Sequence, residues 1–109
     1  MTALKKILDS LTDEMRGQEC YNKYWKCLNE IKRDEELYHR LNDFRSKNVE
    51  LHYKKKSLKE EAALEKEYHD LITNDKISEF LFWEQETLKM IRMIHKDVSN
   101  ALKLDYDFL

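Results

Sequence analysis

DEELYHRLNDFRSKNVELHYKKKSLKEEAALEKEYHDLI, residues 34–72, is the stretch whose reading decides the fold. Leu37, Leu41, Phe44 and Leu51 recur at the interval that keeps one face of an α-helix apolar. Leu58, Ala62, Leu64, Tyr68, Leu71 and Ile72 answer on a second arm. Between the arms, Ser57-Leu58-Lys59-Glu60 has the S-x-x-E form of a capping box, whose hydroxyl and carboxylate satisfy backbone donors at a helix start. The stretch therefore reads as two antiparallel helices reversing near Lys55 and Lys56. Paired symmetrically, Leu41 meets Ile72, Leu51 meets Ala62, and His69 falls near Phe44. Each arm is roughly 30 Å long at the helical rise per residue. A hairpin so long and thin cannot bury itself, so other segments or other subunits must cover it.

Working outward, the composition agrees with helices throughout. The 109 residues include one glycine and no proline, and 39% are charged, which leaves little from which to build the turns of a sheet. One domain, 1–109, is the expectation for this length. With 20 basic against 22 acidic side chains and a net charge of -2, the chain lacks the lopsided charge that attracts nucleic acid or an anionic membrane. No apolar run approaches the length of a membrane span. Met1 to Asp9 lacks the contiguous apolar segment of a signal peptide, so a cytoplasmic location is expected.

Upstream of the hairpin, Leu4, Ile7, Leu8, Leu11 and Met15 give an amphipathic first helix, and Gly17 stands where a left-handed helix stop is expected. A second helix, about 18–33, carries Tyr21, Tyr24, Leu28 and Ile31, widened by Cys20, Trp25 and Cys27. Asp34 is placed to cap the first hairpin arm, with Glu35 and Glu36 in the first turn. Downstream, Thr73-Asn74-Asp75 breaks the chain and caps a last helix of about 76–104. That helix has more apolar residues than one seam can hold, so two of its surfaces need cover. The expected architecture is all-α: five helices, with a long central antiparallel hairpin and a long C-terminal helix, assembled into a bundle by oligomerisation. A subunit interface is the economical use for Phe80, Trp83, Leu88 and Ile91. Phe44, Arg45 and Tyr53 on the hairpin join them as interface candidates, Phe44 from within the apolar seam.

Few residues carry the signature of chemistry. Glu36-Leu37-Tyr38-His39 is a helical E-x-x-H, but di-iron bundles need a second such pair and further carboxylates. The offset that would complete it puts Lys66 before His69 and Arg92 before His95. Cys20 and Cys27 lie seven apart on one helix, about 10.5 Å along its axis, and read as small apolar groups rather than a disulfide. Phosphate loops, nucleophile elbows and H-E-x-x-H are absent. Lys54, Lys55, Lys56 and Lys59 concentrate positive charge at the hairpin tip, where an RNA contact is one alternative and a solvated tip the preferred reading. A small helical enzyme of the chorismate mutase type is another alternative. It would need basic side chains converging on a dicarboxylate, and no spacing makes Arg40, Arg45 and Arg92 converge. No cofactor, metal or catalytic residue is expected.

Tyr21-x-x-Tyr24, Asp34-Glu35-Glu36-Leu37 with Leu41 and Phe44-Arg45, and Ile77-x-x-Phe80-Leu81-x-x-Glu84-x-x-x-Leu88 together resemble the YlbF/YmcA family of small helical bacterial regulators. The likeness spans nearly the whole chain. It implies a non-enzymatic protein that self-associates through its helices and joins related and unrelated partners. Such proteins look like accessory factors for competence, sporulation and biofilm formation, acting in a complex linked to an endoribonuclease and mRNA processing. Some of those complexes carry iron-sulfur clusters, but neither Cys20 nor Cys27 falls on a family motif, so no cluster ligand carries over.

Overall fold

The computed structural model describes residues 2–53 and 57–103. The fold is all-α, with α1 (Thr2–Arg16), α2 (Glu19–Lys32), α3 (Glu35–Tyr53), α4 (Leu58–Glu67), α5 (His69–Ile72) and α6 (Asp75–Ala101). Among the described residues six helices stand where the apolar periods suggest five, because the second hairpin arm breaks at Tyr68. That residue has φ -106 and ψ 19, and its N–H is directed at both the Leu64 and Lys66 carbonyls. Its ring packs 5.4 Å from Phe44, and the Lys47 ammonium lies 5.1 Å from its centroid. Tyr68 thus takes the place beside Phe44 that symmetric pairing assigns to His69, and His69 is exposed.

The caps follow local chemistry. Asp34 Oδ1 accepts from the Leu37 N–H at 3.1 Å, Ser57 Oγ from the Glu60 N–H at 3.4 Å, and Asn74 Oδ1 from Lys76 and Ile77. Each satisfies a backbone donor that the first helical turn would otherwise leave unpaired. The expected left-handed stop at Gly17 does not occur: no glycine has positive φ. α1 closes instead by short turns, with Gly17 donating to the Glu14 carbonyl and Gln18 to that of Met15, both at 3.1 Å. The reversal at Lys55 and Lys56, and with it the lysine tip at 54–56, lies outside the described residues.

The chain's contacts divide it into two units, residues 25–81 and residues 1–24 with 82–109. Within the first, α3 runs antiparallel to the second arm, joined to α4 by Lys47–Glu67 at 3.3 Å and to α5 by an Arg40–Asp70 pair with N–O distances of 2.7 and 3.0 Å. The core here is formed by Cys27, Leu28 and Ile31 of α2, Leu41 and Leu51 of α3, Leu64, Tyr68 and Leu71 of the second arm, and Ile77 and Phe80 of α6. Full burial of such side chains is worth about 1.5–3 kcal/mol each. In the second unit Thr87 Oγ1 donates within 2.8 Å of the Trp83 carbonyl and 3.1 Å of the Cys20 carbonyl, and Cys20 Sγ lies 4.0 Å from Met90 Sδ. Every buried apolar residue among those described belongs to the first unit; in the second, only Ser99 is buried.

Candidate interaction surface

α1 shows the surface in its simplest form. Leu4, Ile7, Leu8 and Leu11 fall on one face because they recur at helical spacing, and all four are exposed. No residue of α1 is buried. A helix of this length is marginal in water by itself, since helices in proteins draw their stability from a packed apolar face. Farther along the chain, α6 exposes Leu88, Ile91, Met93 and Val98, with Leu102 just beyond its last turn. Phe82 is also exposed and sets its ring edge-on to Trp83 at 4.9 Å.

The residues singled out from the sequence separate on inspection. Leu88 and Ile91 are 40% and 45% exposed and available to a partner; Trp83 is half-buried. Phe80 is 0% exposed, so its apolar surface is already covered within the chain and leaves nothing for a second subunit. Phe44 is half-buried against Tyr68. The Arg45 guanidinium lies 5.3 Å from the Phe80 ring, near enough for a cation–π contact, so these two are brought together. Tyr53, at the end of α3, is 86% exposed. Val49 and Leu58 are exposed near it in sequence, and a groove of about 420 Å³ is lined by Leu51, Ala63, Leu64 and the charged Lys47, Glu50, Glu60 and Glu67.

Electrostatics here serve structure. Hydrogen bonds from Arg40 hold the Asp70 carboxyl below its usual range, and the same contact raises Arg40. Tyr68 and then Glu67 raise the Lys47 ammonium by accepting its hydrogen bonds. Arg40 is thus engaged by an acid of its own unit. Of the E-x-x-H, Glu36 and His39 are both exposed, and His39 Nε2 lies 3.5 Å from Asp43 Oδ2, an i,i+4 contact on one helix. Among the described residues, no group of three or more His, Cys, Asp or Glu is placed to hold a metal. Cys20 is half-buried and Cys27 buried, both as free thiols. No described helix is long and apolar enough to cross a membrane.

The exposed faces of α1 and of α6 beyond Ile91 are what reasoning from sequence missed as a site. Their amphipathic spacing was the available signal, but spacing alone does not say whether a face finds cover. A family model described as "Control of competence regulator ComK, YlbF/YmcA" matches residues 5–103. No curated protein and no solved structure matches the chain.

Proposed function

The chain belongs to the YlbF/YmcA family, and from that premise we propose that it is a non-enzymatic regulator that works by holding proteins together through helical surfaces. The observation that carries this reading is the separation between core and exposed apolar surface. Residues 25–81 bury the core, while Leu4, Ile7, Leu8 and Leu11 of α1 and Leu88, Ile91, Met93 and Val98 of α6 stay exposed. Exposed apolar surface on this scale is the mark of an association site. A catalyst would need convergent polar groups in an enclosed site. The described groove is open and rimmed by glutamates, and Lys47 within it already pairs with Glu67.

On this reading the protein forms a homodimer or larger homo-oligomer and joins heteromeric partners in the cytoplasm. Its regulatory context is competence control and the RNA-processing complexes that the resemblance implies. Affinity purification of the full chain from its native host, paired with transcript profiling of a deletion strain, tests the proposal. Recovery of stable protein partners together with altered transcripts supports it. A deletion that changes one metabolite pool, leaves transcripts unchanged and yields no partner points to an enzyme instead.

A further inference from the structure

We draw no further inference here: the strongest candidate, the exposed apolar faces of α1 (Leu4, Leu8 and Leu11) and α6 (Leu88, Ile91 and Val98), carries nothing beyond the association already proposed, because nothing in the structure shows what covers them.

Discussion

Two apolar residues of α6 behave oppositely although both stood as interface candidates. Phe80 is 0% exposed and Ile91 45%. Phe80→Ala should lower unfolding free energy by about 3–5 kcal/mol, the range for removing a fully buried aromatic ring. Ile91→Ser should stay within about 1 kcal/mol in monomeric protein, and urea titrations of the two variants decide this. The pair shows what can be read from residues alone: helical spacing says that a face exists, not whether the chain covers it. Leu4 and Leu41 sit in equally regular patterns, yet only Leu41 is buried. Gly17 shows another gap, since its place after an amphipathic run fits a left-handed stop, whereas backbone bonds close the turn without positive φ. A Cβ there would meet the Glu14 carbonyl oxygen at 3.4 Å, an ordinary contact. Gly17→Ala should therefore stabilise the fold by about 0.4–1 kcal/mol through the unfolded chain, measured as a rise in thermal midpoint. At Asp70 the sign runs with acid: its folded pKa is lowered, so its contribution is present above the unfolded value near 4 and is lost as pH falls through the lower folded value. Asp70→Asn should accordingly be less stable than wild type at neutral pH, with the gap closing in acid on a pH series of denaturation curves.

Among the elements, the helices legible in advance are those whose ends are written locally. Asp34, Ser57 and Asn74 cap where their side chains predict, because a cap depends on three or four adjacent residues. Ser57→Ala should cost the fold about 0.5–2 kcal/mol, read from the same denaturation experiment. The break between α4 and α5 is different in origin. No glycine or proline announces it. Tyr68 meets Phe44 and Lys47 from α3, twenty or more residues away, and such a tertiary contact leaves no local pattern. The hairpin pairing was accordingly legible in its direction and only approximately in its register.

For the molecule as a whole, the first unit is one continuous stretch, 25–81, while the second joins two stretches separated by all of it. Hydrogen exchange should follow that division in the monomer, with slow amides confined to 25–81 and α1 exchanging fastest among the helices, since α1 buries no side chain. An α1 protected as strongly as α3 in dilute monomer would contradict this. The division also has a consequence in time. A ribosome adds residues from the N-terminus, so every residue of the apolar core has been synthesised by Phe80, before the codons for Leu88 to Leu102 are read. The exposed face of α1 is therefore made before the core and the exposed residues of α6 after it. On a crowded polysome, neighbouring nascent copies carry the first of these faces without the second.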